Sequence, residues 1–288
     1  MPTVTQPNAD EQTTHNLQCL EIWGGNHAVD TGVSMPGIDA WVYSEPFEHT
    51  SGGGDVHYVT SCATGRIARV LLADVAGHGD GSSDLAVELR GLLRRHINSV
   101  EQKDFVNSLN REFCTSSNGY NFATGVIATY WGPQSKLSLC IAGHPLPILY
   151  RASSGEWSLL SPKTKSSVDV RNLPLGVDES ARYEEFDVPL EEGDVLLLYT
   201  DALIETDDAA GDSLGEEGLL EAARKLDPSD PAELITRLRE VITPVIERQT
   251  DKDDVTLMAL RCNGKPMKTT PLVLMKGMWN MMRAKVGG

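Results

Sequence analysis

The feature that most constrains this chain is a junction, Leu71-Leu72-Ala73-Asp74-Val75-Ala76-Gly77-His78-Gly79-Asp80-Gly81. The near-continuous apolar run Ile67–Val75 suits a strand covered on both faces, yet it carries an acid close to its end. A histidine framed by glycines follows at once. Two other runs raise the same problem. "VLLLYTDALIE" (Val195 to Glu205) breaks at Asp201, and "TDKDDVTLMAL" (Thr250 to Leu260) opens its strand on Asp253 and Asp254. Asp55, after the turn "TSGGG", begins the alternating stretch "DVHYVTSCA".

The surrounding sequence reads as a layered α+β domain. "AWVYSEPF" (Ala40 to Phe47) alternates as a strand, and "TGVIATYW" with "KLSLCIAG" forms a hairpin about "GPQS". A helix is predicted from Ser82 or Ser83 to about Asn98, with Leu85, Leu89, Leu92, Leu93 and Ile97 on one face. Others are predicted over Asp104–Cys114, Glu216–Leu226 and Pro231–Gln249. "HPLPILYR", "YEEFDVPL" and "DVLLLYT" complete the strands between the helix pairs. Segregated helices and hairpin-linked strands argue against a βαβ array.

With 288 residues, 40% hydrophobic and 23% charged, the chain has the composition of a globular protein that buries a sizeable core. A net charge of −16 speaks against nucleic acid, whose phosphates require a basic footprint. No apolar stretch reaches the ~20 residues that span a bilayer, and the polar opening lacks a signal-peptide pattern. Five scattered cysteines without a CxxC pair suit thiols in a reducing compartment, so a cytoplasmic location is expected. The expected organisation is a disordered segment 1–18, a domain 19–262 and a tail 263–288. That tail holds Lys265, Lys268, Lys276, Arg283 and Lys285 with no acid, around a cluster of Met and Trp. A short helix packed on the acidic body and an interaction segment are both open for it; membrane attachment is not expected.

Acids gathered at strand ends repel one another and resist desolvation unless a cation holds them. Carboxylate oxygens without thiolates select hard ions such as magnesium or manganese. Each acid alone could equally cap a turn.

In order, "SGGGDVHYV", "LLADVAGHGDGSSDLA", "FATGVIATYW", "CIAGHPLPILYR", "LPLGV", "LLLYTDALIE" and "KDDVTLMAL" resemble the motifs of PPM-type metal-dependent protein phosphatases, specifically the SpoIIE-like branch. The resemblance spans Ala40 to Arg261. It implies an αββα sandwich and a site for two divalent cations, manganese or magnesium. Carried over by residue, Asp55, Asp74, the backbone of Val75, Asp201 and Asp253 would ligate the metals, with Asp254 as the alternative to Asp253. His78 would protonate the leaving oxygen or brace the turn. The implied reaction is hydrolysis of phosphoserine or phosphothreonine by metal-activated water, on a phosphorylated regulatory protein such as a STAS-type anti-anti-sigma factor. A phosphatase-like binding module without turnover is the rival reading. Ala76 and Ala202 depart from the usual Ser and Gly of the family.

Overall fold

The computed structural model describes residues 4–5, 14–17, 21–47, 50–61, 66–76, 80–96, 99, 101–116, 121–162, 172–205, 213–246 and 253–265. His78, the cluster of Met and Trp, and most of the basic tail lie outside them.

Fourteen strands and four α-helices are described. The first half holds β1 (Val4–Thr5), β2 (Thr14–Asn16), β3 (Ile22–Gly25), β4 (Val29–Met35), β5 (Ile38–Glu45), β6 (Asp55–Ser61) and β7 (Ile67–Val75). Helices α1 (Asp80–His96) and α2 (Gln102–Ser116) come next. They are followed by β8 (Ala123–Trp131), β9 (Lys136–Ala142), β10 (Ile148–Arg151), β11 (Glu156–Leu159), β12 (Phe186–Pro189) and β13 (Val195–Tyr199). Helices α3 (Gly215–Ala223) and α4 (Pro231–Ile246) precede β14 (Val255–Cys262).

The strands form two seven-stranded sheets, β1-β3-β6-β7-β8-β9-β12 and β11-β10-β13-β14-β5-β4-β2. Period-two alternation sorts their side chains into three apolar layers. In β7 and β8, Val70, Leu72, Val126 and Ala128 point between the sheets, where Met258 and Leu260 of β14 meet them. The alternate residues Leu71, Ala73, Val75 and Ile127 pack under α1 and α2 against Leu89, Phe105, Leu109 and Phe113. On the far side, Leu257 and Ala259 pack under α4, which presents Leu234, Ile235, Leu238 and Ile242 at helical spacing. Burying each such side chain contributes about 1.5–3 kcal/mol. The result is the four-layer αββα sandwich that the family resemblance implied.

Several boundaries differ from expectation. α1 starts at Asp80, ahead of Ser82, and α3 ends at Ala223, ahead of Leu226. The larger difference concerns the polar start, expected to be disordered. Within it, Val4–Thr5 pair in parallel with β3, and Thr14–Asn16 pair in parallel with β4. Edge pairing uses backbone amides and carbonyls, so polar side chains do not oppose it. Leu17 then packs against the inter-sheet core. Among the described residues no helix is long and apolar enough to cross a membrane. Of the cysteines, Cys140 and Cys262 are buried core thiols and Cys114 is half-buried.

Candidate metal centre

Asp55 opens β6 and Asp74 lies one residue before the end of β7; the antiparallel register sets the two directly opposite each other. Both belong to the alternation that faces the other sheet, because Val59, Val70 and Leu72 on the same faces line the inter-sheet core. The carboxylates therefore stand at one end of the space between the sheets. Asp55 is only 2% exposed. The second sheet meets it there: Thr200, just beyond β13, donates its Oγ1 hydroxyl to Asp55 Oδ2 at 2.9 Å. Thr200 Oγ1 in turn accepts the Thr256 amide at 2.9 Å, which fixes the hydroxyl's direction. Among the described residues Asp55 Oδ1 is buried and has no hydrogen-bond partner.

Burial, and then the charge of Asp74, hold the Asp55 carboxyl well above the usual carboxylate range. Asp74 is pushed up to about 7, by burial first and then by Asp201, Asp253, Asp254 and Glu205. Asp201 sits on a single 3-10 turn, Asp201–Leu203, and is raised by burial, Glu205 and Asp253. Asp55 thus faces Asp74 across the ladder, and Asp74 feels the charges of Asp201 and Asp253. The raised carboxyls leave these charges frustrated as they stand.

The two neighbouring acids of "KDDVT" have different surroundings. Asp253 is exposed, and its Oδ1 accepts the Asp254 amide at 2.8 Å. Asp254 is 5% exposed. Its Oδ1 accepts the Phe47 amide at 2.6 Å, and its Oδ2 accepts the Gly54 amide. Val75 lies where the β7–β8 ladder ends: the Ala123 amide bonds Leu175, and the Ala76 amide bonds Phe122.

Sequence reasoning missed Thr200, Thr256 and the separate environment of Asp254. The signal for the threonines was the pairing of a hydroxyl with an acid in "YTD" and "DDVT". It also missed His57, fully buried on the Asp55 face, with neither ring nitrogen hydrogen-bonded among the described residues. Burial, then His27, pulls the His57 imidazole down to about 3. Thr124, the cross-strand partner of Asp74, bonds His144 Nδ1 at 2.8 Å. Burial lowers His144 to about 4.

Among the described residues no three His, Cys, Asp or Glu side chains close into a cage for an ion as they stand. The donor chemistry nevertheless fits a hard divalent cation. The acids are oxygen donors raised by one another's charge, and Asp55 Oδ1 is buried without a partner.

Two facing, mainly antiparallel sheets between helical pairs define this as a PP2C-type phosphatase domain. The sequence matches the family described as Stage II sporulation protein E (SpoIIE) over residues 64–263, and the chain belongs to that family. It is similar to the RsbU and RsbW domains of Rv1364c from Mycobacterium tuberculosis, at 27% identity and a TM-score of 0.66. That match covers 85% of this chain and 64% of the other, so the chain spans under two thirds of that relative. The SiaA-PP2C domain of Pseudomonas aeruginosa has the same fold at 16% identity and a TM-score of 0.65, covering 77% of this chain and 85% of that one. So does the PP2C domain with a regulatory fragment of SpoIIE from Bacillus subtilis, at 18% identity and 0.63, covering 78% and 63%. No curated protein matches the sequence.

Proposed function

We propose that this chain is a cytoplasmic metal-dependent serine/threonine protein phosphatase that dephosphorylates a regulatory protein. What supports the reading is the Asp55–Asp74 rung at one end of the inter-sheet space, with the charges of Asp201 and Asp253 acting on Asp74. The raised carboxyls of Asp55, Asp74 and Asp201 mark a site that gains from divalent cations. In the proposed arrangement these four acids and the Val75 carbonyl hold two manganese or magnesium ions. When bound, the ions supply a nucleophilic water at neutral pH and neutralise charge on the phosphoryl oxygens. Thr200 orients Asp55 through its hydroxyl. The side chains then need supply no covalent nucleophile. A proton for the leaving seryl or threonyl oxygen falls to His78, two residues past Ala76.

The substrate class follows from the family. One similar structure carries an RsbU domain together with an RsbW domain, and another concerns the bacterial stressosome. These point to partner-switching regulators, with a phosphorylated STAS-type protein as the substrate. A similar structure of RsbX is a complex with magnesium, which supports a magnesium- or manganese-loaded site here. The test is hydrolysis of p-nitrophenyl phosphate and of a phosphopeptide panel with manganese and then with EDTA. Turnover that EDTA abolishes, and that is faster on phosphopeptides, is expected. Absence of turnover at millimolar manganese would leave a binding module in its place.

A further inference from the structure

Asp254 stands among the acids yet is committed elsewhere. Its two carboxylate oxygens take the amides of Phe47 and Gly54, which flank the glycine turn leading into Asp55. A Cβ built on Gly53 would lie 2.5 Å from the Asp254 Cγ and from both its oxygens, so the turn backbone presses directly on the carboxylate. The other side of the turn is fastened as well. The Gly53 amide bonds the Asn26 carbonyl at 2.8 Å, and Asn26 Nδ2 bonds the Gly53 carbonyl at 3.0 Å. The Gly54 carbonyl then accepts the Val75 amide at 3.3 Å, tying the turn to the end of β7.

We propose that Asp254 is a positioning residue for the metal centre: its carboxylate closes the 47–54 turn and thereby fixes Asp55 opposite Asp74. This rests on the metal-dependent reading above and adds a role to a residue that the sequence offered only as a substitute ligand. The chemistry explains why an acid is needed. A carboxylate accepts two amides, whereas a carboxamide offers one acceptor and turns an N–H₂ toward the second amide. Asp254→Asn thus leaves one buried amide of the turn unpaired. Asp253, exposed beside it, accepts the Asp254 amide.

The experiment uses the full chain and compares wild type with Asp254→Asn, Gly53→Ala and Asp253→Asn. Metal-free amide exchange over residues 47–56 is read by mass spectrometry, and manganese affinity by calorimetry. In Asp254→Asn the turn is expected to exchange about tenfold faster, and the manganese Kd to rise about tenfold. Its kcat should largely return at saturating manganese, because a positioning defect weakens loading. Gly53→Ala pushes the same carboxylate from the other side and should reproduce all three effects, even if Asp254→Asn folds poorly. Asp253→Asn should leave turn exchange within twofold of wild type and lose activity that manganese does not restore. Unchanged exchange with abolished manganese binding in Asp254→Asn would make it a ligand and overturn the proposal. So would unchanged exchange and unchanged affinity together. If wild type binds no manganese and hydrolyses no p-nitrophenyl phosphate, the phosphatase reading fails; turn exchange alone still decides whether Asp254 holds the turn.

Discussion

Asp55 and Asp74 face each other as register partners across β6 and β7, so two acids share one rung of a ladder inside the protein. Like charges directly opposite on a sheet destabilise it, and here burial removes the water that would screen them. The rung is stable in proportion to what neutralises it.

Replacing one member should therefore separate stability from function. Asp74→Asn keeps the shape and removes a charge that Asp201, Asp253 and Glu205 oppose. The metal-free variant should be more stable than wild type by about 1–2 kcal/mol at neutral pH, read from urea denaturation in EDTA. Its manganese-dependent turnover should fall by about 10³-fold or more. Near-normal turnover, or a metal-free stability below that of wild type, would remove Asp74 from the centre.

The same repulsion predicts linkage. A cation that binds only the folded chain stabilises it by RT ln(1 + [L]/Kd), about 2.7 kcal/mol at a hundredfold excess over Kd. For a chain of this size each kcal/mol raises the midpoint by about 2–4 °C. Saturating manganese should then raise Tm by about 5–10 °C, with EDTA reversing the shift. The gain should shrink sharply in Asp74→Asn. An unresponsive Tm would mean that the acids do not gather a cation.

How far the sequence could lead to this site depends on which signals are periodic. Val195–Tyr199 and Ile67–Val75 read as strands because their apolar runs are long, and the acids at their ends stood out as interruptions. Asp253 and Asp254 could not be separated from sequence, because both precede the strand. Their roles diverge through partners on the 47–54 turn, some 200 residues away. Thr200 was missed for a related reason: a hydroxyl at the end of an apolar strand is unremarkable until its acceptor, Asp55, is known. The strands β1 and β2 left no pattern, since three or fewer residues cannot show alternation.

Thr200 provides a test of that missed contact. Thr200→Val removes the hydroxyl that Asp55 Oδ2 accepts and the oxygen that the Thr256 amide uses. Leaving two buried polar groups short of a partner should cost about 1–3 kcal/mol each, less whatever relaxation recovers. Thr200→Ser, which retains the oxygen, should stay within about 1 kcal/mol of wild type. Equal urea midpoints for the Val and Ser variants at unchanged m would show that the bond contributes nothing.

The last expectation concerns acid. His144 is buried, and its imidazole, bonded at Nδ1 to Thr124, is lowered to about 4 against an ordinary value of 6.5. A depressed histidine is neutral in the folded protein while the unfolded chain takes up a proton, so between these values the unfolded state binds more protons. Stability from this group is complete above pH 6.5 and declines as pH falls toward about 4. Its full extent is about 3 kcal/mol. His57, lowered to about 3 by burial, adds a decline of the same sign. The acid cluster works in reverse, because raised carboxyls favour the folded state as they are protonated. The separation is made by difference. In EDTA, wild type minus His144→Gln should lose about 2–3 kcal/mol of stability between pH 7 and pH 4.5, since the carboxylates contribute equally to both proteins. Gln can still bond Thr124 and does not titrate. Parallel stability curves for the two proteins across that range would show that His144 takes up its proton in the folded state at an ordinary pH.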